Sequence, residues 1–487
     1  MRQTLAAVGL LILGFVAVIA GRTAIASRNQ QPAPIRFDVP PFRPDMAARR
    51  LVEAIRIRTI SRAVGAQDTA ELQHLQAWLA TAYPQMHRVA RREVLPSGAL
   101  IFVWRGRNPA LRPLVLMAHQ DVVPADEVTR WRQSPFGGII RDGVIWGRGA
   151  IDDKSSLVAI MEAAESLAAV KHMPERDLIL IFGNDEEIGG TGAREAASWL
   201  EARGVRPWFV LDEGSLAITD HPVTHRPAAL VGVSEKGYLT LRLDATADGG
   251  HSSAPPDRAA VDDLAKATLA VSNDPFPRHY RGATRQMLEA LAPEAPLVTR
   301  IAIANSWLFE SLLRGAVGAT PQGAAMLHTT IALTMLRGSA KENVLPSTAS
   351  AWINFRIAPE DSVNSVTAHV RHALKDQKIK IAVVGQPQDP SAASPVDSDG
   401  FRFLAGVIRG QFDMPVVPAP VIAQTDSRAL HNVTSAVYRF QPITLAIQDT
   451  DMLHGINERI SVRDFARMIT FYQTLIQGSP LPDATAR

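Results

Sequence analysis

The stretch LILIFGNDEEIGGTGA, Leu178 to Ala193, runs five apolar residues through a glycine into two adjacent glutamates, Glu186 and Glu187, and then into a glycine turn. A short apolar run bounded by turn residues predicts a buried strand, which puts the glutamates at its carboxyl end. Like charges held side by side repel. Adjacent glutamates are ordinarily a solvated surface pair, but a solvated pair has no need of an apolar strand leading into it. The other reading is a cation held at the strand end.

Outward from this stretch the pattern recurs. ALIFVWRG, LRPLVLMAHQD and PWFVLDEG read as further strands, separated by the helical patterns SSLVAIMEAAESLAAV and GAREAASWLEARG. Strands alternating with helices require crossover connections, hence an α/β fold with a mostly parallel sheet covered by helices on both faces. Ligands of such sheets bind beyond the carboxyl ends of the strands. The helical stretches MAARRLVEAIRIRTIS and TAELQHLQAWLATAY precede the sheet.

From Ser234 the texture changes. GYLTLRLDAT, a helix DRAAVDDLAKATLAV, strands HTTIALTMLRG and ASAWINFRIAP, a helix SVNSVTAHVRHAL and a strand IKIAVVG follow in turn. Strand, helix, two strands, helix, strand is the ferredoxin-like α+β order, and residues 273–322 interrupt it as a helical embellishment. The expected organisation is one α/β domain in two parts, 46–235 and 386–480, with a smaller domain, 236–385, inserted between them.

The chain has 487 residues, enough for two or three domains. Its hydrophobic fraction of 46% with 20% charged residues is that of a folded protein. Lys and Arg number 51 against 48 Asp and Glu, without a basic block, so a nucleic-acid partner is not expected. Cysteine is absent, which excludes disulfides, thiol nucleophiles and thiolate metal sites. An apolar run, Leu5 to Gly21, follows one early arginine. It reads as a signal peptide or membrane anchor over 1–28, before a proline-rich linker over 29–45. The body is therefore expected outside the cytoplasm, membrane-anchored, or secreted or periplasmic after cleavage.

Candidate chemistry collects at the strand ends. His119 and Asp121 follow LVLM; Asp152 and Asp153 precede a helix, where one could simply cap it; Asp212 and Glu213 follow FVL; His454 lies in MLHGINERI. Two histidines and three carboxylates form a nitrogen and oxygen set suited to zinc or a similar divalent ion. A shared carboxylate would suit a two-metal hydrolase, with a spare glutamate as base. Each residue alone has a plain alternative as a loop or surface group.

LMAHQDVVPA, WGRGAIDDK, GNDEEIGGTGA, LDEG, SEKGYLTLRL, GGHSSAP, NVLPS and HGINERI, in this order, resemble the motifs of the two-zinc metallopeptidase family of carboxypeptidase S, aminoacylase and bacterial carboxypeptidase G. The texture is closest to the carboxypeptidase S branch with its secreted N-fatty-acyl-amino-acid hydrolase/synthase relatives. The resemblance implies two Zn2+ ions, or Co2+ or Mn2+, held by His119, Asp152 as bridge, Glu187, Glu213 and His454, with Asp212 an open alternative to Glu213. It implies Glu186 as general base, Asp121 as orienting partner of His119, a cis peptide after Asp152, and His251 as oxyanion support, often across a dimer. Asn343, Arg356 and, more faintly, Arg428 match groups that hold a substrate carboxylate. The implied activity is hydrolysis of an amide next to a free carboxylate, in a short peptide or an N-acyl amino acid, reversible in some relatives. The implied partners are that small molecule and a second copy through 236–385, which resembles the family's lid or dimerisation domain beside the catalytic domain, 46–235 and 386–480; the N-terminal segment adds the membrane if it stays. The alternative of another class is a non-catalytic metal-binding protein that keeps the fold.

Overall fold

A computed structural model describes residues 2–28, 31–63, 65–375 and 378–478. Residues 29 and 30 of the expected linker, and 479 and 480 of the second catalytic segment, lie outside them. The helices and strands used below are α1 (Arg2–Ala26), α2 (Pro44–Arg56), β1 (Ala90–Val94), β2 (Leu100–Trp104), β3 (Leu114–His119), α3 (Lys154–Ala169), β4 (Leu178–Gly183), α4 (Thr191–Ala202), β5 (Phe209–Asp212), β6 (Ala228–Glu235) and β7 (Gly237–Thr246). After them come α5 (Ala260–Ser272), α6 (Leu297–Ala304), α7 (Ser306–Val317), β8 (Thr330–Arg337), β9 (Thr348–Ile357), α8 (Val363–Leu374), β10 (Ile379–Gln388), α9 (Asp399–Phe412), β11 (Val416–Val421), β12 (Val437–Arg439) and α10 (Val462–Gln477).

Every residue of β3, β4 and β5 is buried. Strands covered on both faces carry continuous rather than alternating apolar sequence, which is why LVLMA and LILIF stand in the centre of the sheet. This sheet has ten strands, its main path running β1, β2, β4, β3, β5, β12 and β6, with β11 beside β6. Its centre is parallel, and β1 and β2 add an antiparallel edge. In the β3–β4 ladder Leu114 pairs with Leu178 and His119 with Gly183, so both acidic loops leave the sheet at one level. Helix α3 is packed between the sheet, α2 and α10, and its residues are buried almost throughout. Prolines 418 and 420 are tolerated in β11 because that strand pairs on one side only.

The second sheet has four strands in the order β8, β9, β7, β10, all antiparallel. Here burial alternates along β7 and β9, as expected where one face is covered. Leu239, Leu241, Ile353 and Phe355 point to α5 and α8, which contribute Leu264, Val271, Val366 and Val370. This is the split βαβ arrangement. The outward part of β8, from Ala332 to Arg337, is exposed.

From Gln31 the proline-rich segment after α1 makes hydrogen bonds with the body. It is extended but laid on the body: Ile35 N–H donates to the Gly406 carbonyl at 2.8 Å, and Arg36 Nε to that of Gly410 at 2.8 Å. Phe37 and Phe42 pack on the main core. A methyl group at Gly410 would stand 2.0 Å from the Ile35 carbonyl oxygen, so this close approach depends on glycine.

Candidate metal centre

At the carboxyl end of β3, His119 is buried with both ring nitrogens engaged. Nδ1 lies 3.0 Å from the Asp121 carbonyl and 3.3 Å from its carboxylate, while Nε2 lies 2.9 Å from Asp152 Oδ1. Fixing one nitrogen of an imidazole aims the other. Asp121 also accepts the Glu186 and Glu187 backbone N–H groups at 3.2 and 3.3 Å, which ties the glutamate turn to the His119 loop.

Asp152 stands between two triads. His119, Asp152 and Glu213 form one, and Asp152, Glu187 and His454 the other, with the ligand atoms of each triad within 4.8 Å of one another. His454 Nε2 lies 3.2 Å from Asp152 Oδ2 and 3.0 Å from Glu187 Oε2, so Asp152 offers a different oxygen to each histidine. Glu186 belongs to neither triad. Asp212 turns away: its Oδ2 accepts the Ser427 N–H at 2.8 Å, which leaves Glu213 as the carboxylate that faces His119. The plain capping reading of the aspartate pair fails, because Asp153 occupies the N-cap of α3 without a side-chain capping bond. The peptide between Asp152 and Asp153 is cis.

The electrostatics follow from crowding acids in a buried place. Burial pushes Glu213 up, with Asp152 and Glu186 adding to it. Burial likewise raises Glu186, reinforced by Glu187 and Asp426. Burial acts upward on Asp152 too, yet hydrogen bonds from His119 and His454 hold it well below the usual carboxylate range. Hydrogen bonds to Asp152 and Glu187 push His454 up to about 10. Protons are retained where cations would otherwise compensate the carboxylates. A donor set of nitrogen and oxygen, one carboxylate shared between two triads, and this excess of negative charge all fit a pair of divalent ions.

Two residues without an assigned role in the motifs hold the ligands together. Glu458, fully buried, accepts the N–H groups of Gly149, Ile151 and Asp152 and pairs with buried Arg148 at 2.7 Å. Arg148 in turn donates to the carbonyls of His454 and Gly455. His454 has a left-handed backbone, φ 57°, stabilised by that contact. Both residues lay within quoted motifs, and a charged pair embedded in WGRG and NERI was their only signal. Asp426 is the other omission: buried, without a hydrogen-bond partner on either oxygen, and raised by burial and Asp212.

Of the remaining candidates, Arg356 and Arg428 lie near Glu186. Arg356, on β9, stacks over Tyr238 at 4.9 Å and lies close enough to Glu186 to feel its charge. Arg428 pairs with buried Glu235 at 3.5 Å and donates to the Lys236 and Asp389 carbonyls. With Glu186, Asp426 and Gln388, Arg428 lines a cleft of about 510 Å³. His251 and Asn343 come together on a short ribbon, where Gly250–His251 pairs with Val344–Leu345. His251 is exposed and bonded to Ser253, and no contact joins it to the triads among the described residues.

An α/β sheet with two acid–histidine triads at its carboxyl end defines a metal-dependent hydrolase. The comparisons agree: a model of peptidase family M20/M25/M40 matches residues 115–478, and the chain belongs to that family. Human N-fatty-acyl-amino acid synthase/hydrolase PM20D1 is 36% identical over 434 residues, covering 88% of this chain and 86% of that protein. Probable carboxypeptidase S-like 2 of Dictyostelium discoideum is 35% identical over 443 residues, covering 89% and 85%. Among solved structures, the M20 family metallo-carboxypeptidase Sso-CP2 from Sulfolobus solfataricus superposes with a TM-score of 0.67 at 18% identity, covering 88% of this chain and 98% of that one. Human carnosine dipeptidase 1 superposes at 0.64 with 17% identity, covering 89% and 96%. At such identities the superpositions speak to the fold.

Proposed function

We propose that this enzyme hydrolyses the amide bond of N-acyl amino acids carrying an apolar acyl chain, with two zinc ions held by His119, Asp152, Glu187, Glu213 and His454. The observation that carries the reading is Asp152 shared between two triads while Glu186 stays beside them and outside both. Bound there, the ions would acidify a water molecule and polarise the amide carbonyl. Glu186 takes the proton from the attacking water and returns it to the leaving amine, a task suited to a carboxyl whose burial raises its proton affinity. Asp121 keeps the His119 ring oriented. Arg356 and Arg428, with Asn343, hold the substrate carboxylate; a guanidinium fork matches it in two hydrogen bonds. His251 supports the oxyanion from the lid segment 236–385, across a dimer whose contact includes the exposed edge strand β8.

The apolar acyl preference rests on the PM20D1 relatives, named as N-fatty-acyl-amino acid enzymes, and on α1, a helix long and apolar enough to cross a membrane. With α1 as an uncleaved anchor, the body faces away from the cytoplasm. The first test is metal content by mass spectrometry alongside hydrolysis. Glu186→Gln should keep both ions and lose at least about 10²-fold in rate, whereas Glu187→Gln should lose metal as well. Full activity in Glu186→Gln would end the base assignment. The second test sets an N-oleoyl amino acid against an N-blocked dipeptide: the oleoyl substrate should have the higher kcat/KM, and the reverse order would make the protein a carboxypeptidase.

A further inference from the structure

Helix α1 is not isolated. It lies antiparallel to α6: Arg300 donates to the Ser27 hydroxyl at 3.2 Å, Arg22 Nε to the Ala304 carbonyl at 2.9 Å, and Asn305 Nδ2 to Thr23 Oγ1 at 3.3 Å. The chain then turns into α7, where Trp307 meets Phe15 of α1 edge-on at 6.0 Å between ring centres. Helix α7 kinks at Phe309. Its Leu313 and Val317 face the protein, while Trp307, Leu308 and Leu312 are 56%, 45% and 61% exposed. Glu310 and Arg314 of the same helix pair with each other at 3.8 Å.

Depth follows from helix geometry. Arg22 is the first charged side chain after the apolar run of α1 and marks the headgroup level. Phe15 is seven residues earlier, which at 1.5 Å per residue puts it, and Trp307 with it, roughly 10 Å below that level. Interfacial helices bury their apolar faces to about this depth. Twelve residues are too few to span a bilayer, which takes about 20. We propose that α6 and α7 form a second membrane contact, with Trp307, Leu308 and Leu312 inserted beside α1 into the leaflet on the body's side. The occupant of this face is lipid because the face continues the surface of α1, whose apolar run is exposed. The inference rests on α1 entering the membrane.

The absence of cysteine makes the test direct. Leu308→Cys, Leu312→Cys, Leu11→Cys and Val170→Cys, each in the full chain, would carry an environment-sensitive fluorophore. The labelled proteins, with metal bound, are reconstituted into phosphatidylcholine and phosphatidylglycerol vesicles with or without doxyl-labelled lipid. All four positions are exposed, so packing is retained, and hydrolysis of a soluble substrate at the wild-type rate checks it. Doxyl lipid should quench the dyes at 308 and 312 by at least half, with the Val170 dye unaffected. Dyes at 308 and 312 as unquenched as that at 170 would overturn the proposal, whatever the Leu11 dye does. An emission shift that depends on protein density instead of doxyl lipid would also overturn it, in favour of contact between copies. The Leu11 dye reports on the anchor separately: quenched at 11 but not at 308 and 312 overturns the second contact alone, and unquenched at 11 removes the anchor and the inference that rests on it.

Discussion

Glu186 and Glu187 differ by one position and by nearly everything their surroundings ask of them. Both backbone N–H groups point to Asp121, but only Glu187 reaches His454. The neighbouring basic groups behave in a correspondingly specific way. His431 lies 3.4 Å from the Arg439 guanidinium, and burial, with Arg439 and Arg428 adding to it, lowers its pKa to about 3. The folded pKa is thus below the ordinary value of 6.5, so the folded chain binds fewer protons than the unfolded one between these pH values. His431 costs no stability above pH 6.5, and stability falls as pH drops from 6.5 toward 3, by at most about 1.4 kcal/mol per pH unit. Urea unfolding of wild type and His431→Gln between pH 7 and 5 should give a flatter profile for the variant. Parallel profiles would show that His431 is solvated in the folded protein.

At the scale of elements, the centre depends on a splice between distant parts of the chain. The loop before α3 and the loop before α10 bring Asp152 and His454 together, and Glu458 with Arg148 joins them. Removing one partner of a buried pair leaves the other charge uncompensated, at about 3–5 kcal/mol. Glu458→Ala should therefore lower unfolding free energy by about that amount and reduce metal retention during dialysis. Unchanged metal retention would confine Glu458 to folding. The sequence made β3, β4 and β5 readable because a strand buried on both faces is apolar throughout, and it made the strand-end acids readable because charge after such a run is unexpected. It did not make Arg148 and Glu458 readable as a pair, since their partnership spans some 310 positions and exists only after folding. Nor did it distinguish Asp212 from Glu213: alternate residues leave a strand end in different directions, and that Asp212 accepts the Ser427 N–H appears only in the folded chain. That the linker runs along α9 was not legible for a related reason, as proline and polar residues look alike in a free spacer and in one pinned over glycines.

For the whole molecule, the separation of His251 from the triads carries a prediction. If His251 works in the partner's site, His251→Ala and Glu186→Gln chains should each be nearly inactive alone, yet recover up to about a quarter of wild-type activity when unfolded together and refolded as a mixture. Half of the resulting dimers are heterodimers with one intact composite site of two, which sets that ceiling. Size-exclusion chromatography with light scattering would verify the dimer in the same samples. No recovery from a confirmed mixed dimer would assign His251 to its own chain or to no catalytic role.

The segment from Gln31 to Phe42 has a mechanical meaning beyond its packing. Because Ile35 and Arg36 are fastened to α9 at Gly406 and Gly410, this part of the chain moves with the catalytic body. If α1 anchors the chain as proposed, that fastening limits how far the body can stand from the bilayer. Such a tether would keep the opening of the site close to the surface along which an apolar substrate spreads.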